Sequence, residues 1–218
     1  MFFPSNPSGV FCARRSNTEG TKAAFVLALS LSSAMGPALS KRQVSVLMVG
    51  LDGVGKTTIL AHMVDAASMN RNSLHKEIFT LPTAPLQMVE FSFSSARWKV
   101  WDMGGQGRYR KIWPFYAAQT MSIVFVIDLA DAERIATARD ELYQLLDQLG
   151  SRKVALLVLA NKADRKGQEG FLNIESVKMG LGLSSIEQQR GHKVKLASVS
   201  GITGAGLQSA FSWLAESV

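Results

Sequence analysis

The segment Gly50–Thr58, GLDGVGKTT, has the spacing G-x-x-x-x-G-K-[ST] that can hold phosphate groups. It follows an apolar run, Val44–Val49, and precedes a helical pattern, which is the position that this motif requires. Glycines let successive backbone N–H groups point at an anion, and the positive end of the helix dipole adds to the attraction. Lys56 is expected to reach the outer phosphates, and Thr57 to bind Mg²⁺. The alternative is a glycine-rich turn without a ligand, but the filled motif and its flanks favour phosphate binding. The predicted phosphate contacts here are Asp52, Gly53, Val54, Gly55, Lys56, Thr57 and Thr58.

A second motif, Asp102–Gln106, comes directly after a predicted strand. A carboxylate at Asp102 can hold Mg²⁺ through a water molecule, and the unhindered N–H of Gly105 can meet a γ-phosphate oxygen. Gln106 can orient the water that attacks this phosphate. The motif therefore predicts a hydrolytic function, with Gln106 as the catalytic residue.

A third motif, NKAD at Asn161–Asp164, follows the apolar run Ala155–Ala160. A carboxylate can accept hydrogen bonds from two adjacent N–H groups, which guanine presents at N1 and N2 and adenine does not. We therefore predict that Asp164 selects guanine, that Asn161 braces the loop and that the stem of Lys162 covers the base. Gly201, after the last predicted strand, can offer its N–H to guanine O6. NKxD alone is commonly a surface turn, but after a phosphate motif it favours a GTP or GDP site over a kinase or ATPase site.

Strand and helix patterns alternate from residue 44 onward, and the motifs lie at the carboxyl ends of strands, where such sheets bind ligands. The predicted strands are Val44–Val49, Gln87–Phe93, Arg97–Asp102, Ile123–Asp128, Ala155–Ala160 and Val194–Val199. The predicted helices are Lys56–Ala67, Ala132–Leu149, Ile174–Gly180 and Leu207–Ala215. The fold class is therefore α/β, with a six-stranded, mostly parallel sheet and helices on both faces. Only Ser94–Ala96 separates the second and third strands, so they form a hairpin that supplies one antiparallel edge strand.

Composition and charge describe a soluble globular protein of 218 residues, with 47% hydrophobic and 19% charged residues. Residues 1–42 contain five cationic side chains and one carboxylate, which is +4 of the total +7. The rest is close to neutral, so nucleic-acid binding is not indicated. Cys12 is the single cysteine, which excludes an internal disulfide and favours a reducing, cytoplasmic location. The three histidines show no metal-ligand spacing.

Residues 1–40 differ from the rest and are expected to form an extension that is disordered or weakly associated with a membrane. The apolar segment Ala23–Met35 is too short to span a bilayer, which needs roughly 20 residues. It resembles a secretory signal in its basic lead, and a membrane-surface helix in its apolar content, although its serines form no polar stripe. We favour weak membrane association or an unstructured extension over a cleaved signal. Residues 41–218 form the predicted nucleotide-binding domain.

Together, Gly50–Thr58, Trp101–Gln106 and Asn161–Asp164 resemble the ADP-ribosylation-factor family of small GTPases from about residue 41 to residue 218. The segments Gly107–Trp113 and Asp140–Leu146 are most similar to the ciliary branch linked to Bardet–Biedl syndrome. The resemblance implies the G domain of P-loop NTPases and a switch that cycles between GTP and GDP with Mg²⁺. It also implies an exchange factor, a GTPase-activating protein and an effector or coat complex as partners. The implied location is the cytoplasm, with peripheral membrane association at the ciliary base or membrane.

The resemblance also assigns roles that the motifs alone do not. Thr83 takes the place of the first-switch threonine, which contacts the γ-phosphate and Mg²⁺, and an aromatic effector surface falls on Leu86, Trp101 and Tyr116. Three features depart from the family pattern. Pro85 replaces a glycine and fixes φ in the first switch, Leu86 replaces a phenylalanine, and the stretch Ala66–Phe79 is longer than typical.

The resemblance implies slow intrinsic hydrolysis, because no inserted domain with an arginine finger fits between Thr58 and Thr83. An activating protein would then supply the missing rate. The rival hypothesis is a non-cycling, GTP-bound scaffold anchored by Ala23–Met35, like the β subunit of the signal-recognition-particle receptor. The presence of Gln106 favours the switch.

Overall fold

The computed structural model describes residues 42–69, 77–79 and 86–218, which belong to the unit Lys41–Val218. The predicted extension, residues 1–40, lies outside the described residues. So do Thr83 and Pro85 of the predicted first switch, and the middle of the long stretch Ala66–Phe79.

The described strands form one sheet in the order β2-β3-β4-β1-β5-β6-β7. Their bounds are Arg42–Val49 (β1), Glu77–Phe79 (β2), Leu86–Phe93 (β3), Ala96–Met103 (β4), Ser122–Asp128 (β5), Ala155–Asn161 (β6) and Lys193–Ser198 (β7). Neighbours among β4, β1, β5, β6 and β7 are parallel, whereas β3 is antiparallel to β4. The predicted fold class, with its mostly parallel sheet and its hairpin, is confirmed.

The three-residue strand β2 was not predicted, and it pairs antiparallel with β3 on the side away from β4. The antiparallel strand β3 therefore lies second from the edge of the described sheet. Three residues are too few to show the alternation by which a strand is recognised in a sequence.

Seven α-helices surround the sheet in the described part of the chain. They are Lys56–Met69 (α1), Gly107–Arg110 (α2), Trp113–Ala117 (α3), Ile135–Asp147 (α4), Ile174–Gly180 (α5), Leu183–Arg190 (α6) and Leu207–Ser217 (α7). The helix predicted at Ala132–Leu149 begins as a 3₁₀ turn and becomes α-helical at α4. Helices α2 and α3 were not predicted, because four or five residues are too few to show a helical period. Helix α6 was not predicted either, because only Leu183 and Ile186 of its eight residues are buried and they form no clear apolar stripe. Within these described ranges, every helix is too short or too polar to cross a membrane.

Apolar spacing explains how the helices bury one face. In α7 the buried residues Leu207, Ala210, Phe211 and Leu214 follow the i, i+3, i+4, i+7 pattern of a single helix face. The Phe211 ring packs edge-on against the fully buried Trp98 of β4, with ring centroids 5.2 Å apart. Strands β5 and β6 are almost completely buried, as expected for central strands of a parallel sheet.

The carboxyl end of α3 is held by Arg152, from the loop between α4 and β6. Its guanidinium donates to the carbonyl oxygens of Ala117 and Ala118, both at 2.8 Å, and to that of Thr120. A guanidinium satisfies the carbonyl groups that a helix leaves open at its end. The segment after β4 therefore has a fixed far end.

A buried histidine lies at the amino end of β7. His192 is 4% exposed, and its Nδ1 accepts a hydrogen bond of 3.2 Å from the N–H of Val154. Burial lowers the pKa of His192, and the positive charges of Lys153 and Arg190 lower it further. The folded protein therefore favours the neutral imidazole, which keeps Nδ1 free to accept.

We predict that stability falls with acidification through His192. Because its pKa is lower in the folded state than in the unfolded chain, the unfolded chain binds more protons below about pH 6.5. The free energy of unfolding then decreases by at most about 1.4 kcal/mol per pH unit. His192→Asn should remove this part of the dependence, so its melting temperature should fall less than that of wild type between about pH 7.5 and 5.5. Equal slopes for the two proteins would contradict this account.

Candidate nucleotide-binding site

The segment Gly50–Thr58, called the phosphate loop after its predicted role, runs from the end of β1 into the first turn of α1, as predicted. Gly50 has φ of 144°, and a Cβ there would lie 2.2 Å from the carbonyl oxygen of Val126. Gly55 has φ of 92°, and a Cβ there would lie 2.5 Å from Nδ2 of Asn161. Both positions combine a left-handed backbone with a contact that excludes any side chain, so the two glycines of the motif are structurally required.

Lys56 is the first residue of α1 and lies folded over the loop. It is 7% exposed, and its Nζ donates to the carbonyl oxygens of Gly50 (3.0 Å) and Leu51 (2.8 Å). Burial lowers its pKa, while Asp102 and Asp52 oppose this shift. An ammonium has three N–H donors. The lysine is thus fixed at the mouth of the loop, where a phosphate oxygen can take the remaining donor.

Thr57 and Asp102 form a hydrogen-bonded pair of oxygen-bearing side chains beside the lysine. The Thr57 hydroxyl donates to Oδ2 of Asp102 at 2.7 Å, and Asp102 is 7% exposed. Burial raises the pKa of Asp102, although the Thr57 hydrogen bond and the charge of Lys56 oppose the rise. A buried carboxylate next to a hydroxyl offers the hard oxygen donors that Mg²⁺ prefers. Among the described residues, no group of three or more His, Cys, Asp or Glu side chains is arranged to hold a metal ion.

Gly105 and Gln106 lie against the same loop. A Cβ on Gly105 would be 2.3 Å from the carbonyl carbon of Leu51 and 2.4 Å from the backbone nitrogen of Asp52. Only glycine fits there. A cleft of about 320 Å³ opens beside this contact. Its lining includes Asp52, Gly53, Lys56, Thr57, Leu86, Asp102, Gly105 and Gln106, together with Gln87, Met103, Gly104 and Tyr109, which the sequence analysis did not single out.

Asn161 links the phosphate loop to the loop after β7. It is 2% exposed, its Nδ2 donates to the carbonyl oxygen of Val54 at 2.8 Å, and its Oδ1 accepts from the N–H of Gly201 at 2.9 Å. The bracing role predicted for this side chain has a matching geometry. Two predicted parts of the site, one for phosphate and one for guanine, are therefore held together by a single amide.

Asp164 and Lys162 each have a partner that the sequence analysis did not identify. The buried Ser200 donates its hydroxyl to Oδ1 of Asp164 at 2.5 Å, which fixes the carboxylate. Lys162 has a left-handed backbone (φ 66°), and its Nζ forms an ion pair of 2.5 Å with Oδ2 of Asp128. Asp128 ends strand β5, so the rule that places ligands at strand ends could have identified it.

The three residues of the predicted effector surface are all half-buried. Leu86 pairs with Met103 and Trp101 with Met88 in the β3–β4 ladder, so Leu86 and Trp101 lie on the same face of the sheet. Nζ of Lys99 lies 4.9 Å from the centroid of the Trp101 ring. Tyr116 is on α3, where its ring packs edge-on against Phe115, which is 66% exposed and was not predicted.

Thr58 and Thr83 complete the set of predicted ligands. Thr58 is exposed in the first turn of α1, and Thr83 lies outside the described residues. Every other predicted phosphate or guanine residue lies at the carboxyl end of β6 or on the segments that directly follow β1, β4, β6 and β7, including the first turn of α1. The sheet therefore gathers residues that are more than a hundred positions apart at one edge, as in the 107-residue separation of Asn161 and Val54.

The family model described as "ADP-ribosylation factor family" matches residues 31–218. Among solved structures, the chain is similar to the Arl6 BBS3 small GTPase from Trypanosoma brucei with the bound nucleotide analogue GppNp. The two share 26% sequence identity with a TM-score of 0.64, and the match covers 80% of this chain and 96% of that chain. The family model covers well over half of the chain, and this chain therefore belongs to the ADP-ribosylation factor family of small GTPases.

Proposed function

We propose that this protein is a GTP-dependent switch that recruits effectors to membranes of the ciliary trafficking route. The observation that carries the proposal is the pair of hydrogen bonds made by Asn161, one to Val54 in the phosphate loop and one from Gly201 after β7. They fix the position of the proposed phosphate site relative to the proposed guanine site. A site for a base and a site for phosphates at a fixed separation suit a whole nucleotide. Family membership supports GTP as that nucleotide, and the similarity to the Trypanosoma brucei Arl6 BBS3 small GTPase agrees with the ciliary branch that the sequence resembles.

The proposed phosphate site uses the backbone N–H groups from Asp52 to Thr58, which face the anion at the positive end of α1. Lys56 adds a fixed charge at the outer phosphates. Thr57, Thr83 and, through water, Asp102 would hold Mg²⁺. When bound, Mg²⁺ neutralises charge that develops on the phosphate oxygens. Burial raises the pKa of Asp102, while the Thr57 hydrogen bond and the charge of Lys56 oppose that rise and favour the carboxylate form that binds a metal ion.

The proposed guanine site uses the carboxylate of Asp164 to accept from the base, while Ser200 fixes the orientation of that carboxylate. Gly201 offers its N–H to guanine O6, and its position depends on Asn161. The stem of Lys162 covers the base while its ammonium is paired with Asp128. Selectivity for guanine then depends on the hydrogen-bond pattern and not on shape alone.

The proposed switch has two moving parts. The N–H of Gly105 and the hydroxyl of Thr83 bind the γ-phosphate, and hydrolysis releases both segments. Gln106 orients the attacking water, and an activating protein raises the rate by roughly 10³–10⁵-fold. An exchange factor restores GTP, and the effector or coat complex contacts Leu86, Trp101 and Tyr116. Residues 1–40 would contribute peripheral membrane association.

The decisive experiment is uptake and turnover of radiolabelled nucleotide by the purified full chain in Mg²⁺. We expect tight binding of GTP and GDP, no binding of ATP, and slow conversion of GTP to GDP that cell extract accelerates. Retention of GTP without conversion, even with extract, would support the non-cycling scaffold instead. Failure to take up any guanine nucleotide would refute the proposal. Pull-down from ciliated cells with GTP-loaded and GDP-loaded protein then tests effector recruitment.

We predict that Gln106→Leu leaves GTP binding unchanged and abolishes the turnover stimulated by extract. Leucine has a similar size but cannot orient water, so the loss should approach the roughly 10³–10⁵-fold contribution of the activating protein. Single-turnover hydrolysis of bound GTP measures the effect. Gln188→Leu, on the exposed face of α6, is the matched control and should behave as wild type. Normal stimulated turnover in Gln106→Leu would remove Gln106 from the mechanism.

We also predict that Asp164→Asn shifts base selectivity from guanine to xanthine. The amide replaces an acceptor by a donor, and xanthine offers a carbonyl where guanine has an amino group. Loss of one or two hydrogen bonds to a charged acceptor should weaken GTP binding by about tenfold to a few hundredfold. Competition of GTP against xanthosine triphosphate measures the shift, with Asp147→Asn as an exposed control. Unchanged selectivity would show that Asp164 does not contact the base.

A further inference from the structure

Gly105 is held by hydrogen bonds to both peptide groups on either side of its Cα. The indole N–H of Trp113 donates to the carbonyl oxygen of Gly104 at 3.3 Å, and Nε of Arg110 donates to that of Gly105 at 2.8 Å. A peptide group is planar, so fixing the Gly104 carbonyl also fixes the direction of the Gly105 N–H. Trp113 therefore holds the peptide group that carries the Gly105 N–H. Arg110 holds the next peptide group, on the other side of the Gly105 Cα, and so limits rotation of the backbone at this glycine.

Arg110 is itself anchored from two sides. Its NH1 forms an ion pair of 2.8 Å with Glu141 of α4, and its NH2 lies 3.5 Å from Oδ1 of Asp52 in the phosphate loop. One guanidinium therefore joins the phosphate loop, the loop after β4 and α4. The rigid, forked guanidinium suits this role, since its donors keep a fixed angle to one another.

Burial shows which of these contacts matter most. The side chains of Arg110 and Glu141 are 15% and 22% exposed, whereas that of Asp52 is 56% exposed. Exposed ion pairs are weakened by water and salt, and Asp52 also divides its charge between Arg110 and Arg134. Glu141 is therefore the main anchor of Arg110, and Asp52 is a secondary one.

The buried ring of Trp113 completes the arrangement. Trp113 is 1% exposed, and it begins α3, whose far end Arg152 holds through carbonyl oxygens. On the opposite side, Gly105 lies against Leu51 and Asp52 so closely that a Cβ would overlap the loop backbone. Gly105 is thus confined between the phosphate loop and two side-chain donors.

We propose that Arg110 and Trp113 are positioning residues that aim the N–H of Gly105 at a γ-phosphate and so give the site its preference for a nucleoside triphosphate over a diphosphate. The inference rests on the proposed function, because it takes the cleft beside Lys56 as the phosphate site. The inference adds the two side chains, Arg110 and Trp113, that preorganise the Gly105 N–H as a donor. A donor that is already aimed costs no ordering when the triphosphate binds.

The test compares release of two fluorescent nucleotides, labelled GTPγS and labelled GDP, from the full chain in Mg²⁺. Arg110→Ala should speed release of the triphosphate analogue by about tenfold, the size of one hydrogen bond to a charged oxygen. Release of GDP should change by less than about twofold, because GDP has no γ-phosphate. Arg108→Ala is the matched control, since Arg108 is exposed on the same helix and lies over the ring of Tyr109.

Two further variants weaken the hold on Gly105 without removing Arg110. Glu141→Gln weakens the main anchor by removing its negative charge, and Asp140→Asn, at its exposed neighbour, serves as the control. Trp113→Phe removes the indole donor while keeping a ring in the core. Both should speed triphosphate release selectively. In a Gly105→Ala background, which displaces this N–H, Arg110→Ala should add no further effect, because the two changes act on one contact.

Equal acceleration of GTPγS and GDP release in Arg110→Ala, Glu141→Gln and Trp113→Phe would overturn the proposal and leave these residues a purely structural role. So would an undiminished effect of Arg110→Ala in the Gly105→Ala background. A wild-type chain that binds neither nucleotide would instead refute the proposed function itself. The two failures are therefore distinguishable from the wild-type measurement alone.

Discussion

The amide of Asn161 ends strand β6 and makes hydrogen bonds to two loops that come from opposite ends of the chain. One bond reaches Val54 in the phosphate loop, and the other comes from Gly201 after β7. Both bonds are buried, and loss of the amide would leave a carbonyl and an N–H unsatisfied at a cost of about 1–3 kcal/mol each. The distance between the two halves of the site therefore depends on one side chain. The parallel sheet brings the loops to one edge, and Asn161 fixes them there.

Charged side chains near these loops lie close to groups of opposite charge. Lys56 and Asp102 are both buried, and burial shifts the pKa of each toward its neutral form. The charge of Lys56 and the Thr57 hydroxyl oppose the shift at Asp102, and the charge of Asp102 opposes the shift at Lys56, so each group favours the charged form of the other. The opposite charges suit a ligand that brings both phosphates and a metal ion. Within the phosphate loop, Arg110 and Arg134 offset the charge of Asp52, which would otherwise repel a phosphate.

The local motifs of this chain could be interpreted from the sequence, whereas the contacts between distant residues could not. The spacing of the phosphate motif indicated one kind of loop, which holds Gly50, Gly55, Lys56 and Thr57. The class of the sheet followed from the alternation of apolar strand patterns with helical patterns. Ser200 and Asp164 are 36 residues apart, and Arg110 and Glu141 are 31 residues apart, so no local pattern pairs them. Helices α2 and α3 are single turns whose form depends on partners such as Arg152. Strand β2 is visible only through its pairing with β3.

The anchorage of α3 by Arg152 has a mechanical consequence for the loop after β4. Met103 is fixed in the sheet, and Ala117 and Ala118 are fixed by the guanidinium. The segment between these two attachments can change conformation, but its ends keep their positions. Displacement near Gly105 must then be taken up within the few residues before α3, since a short closed span has little freedom to lose. The distance that this loop can move is therefore limited by the number of residues between its two fixed ends.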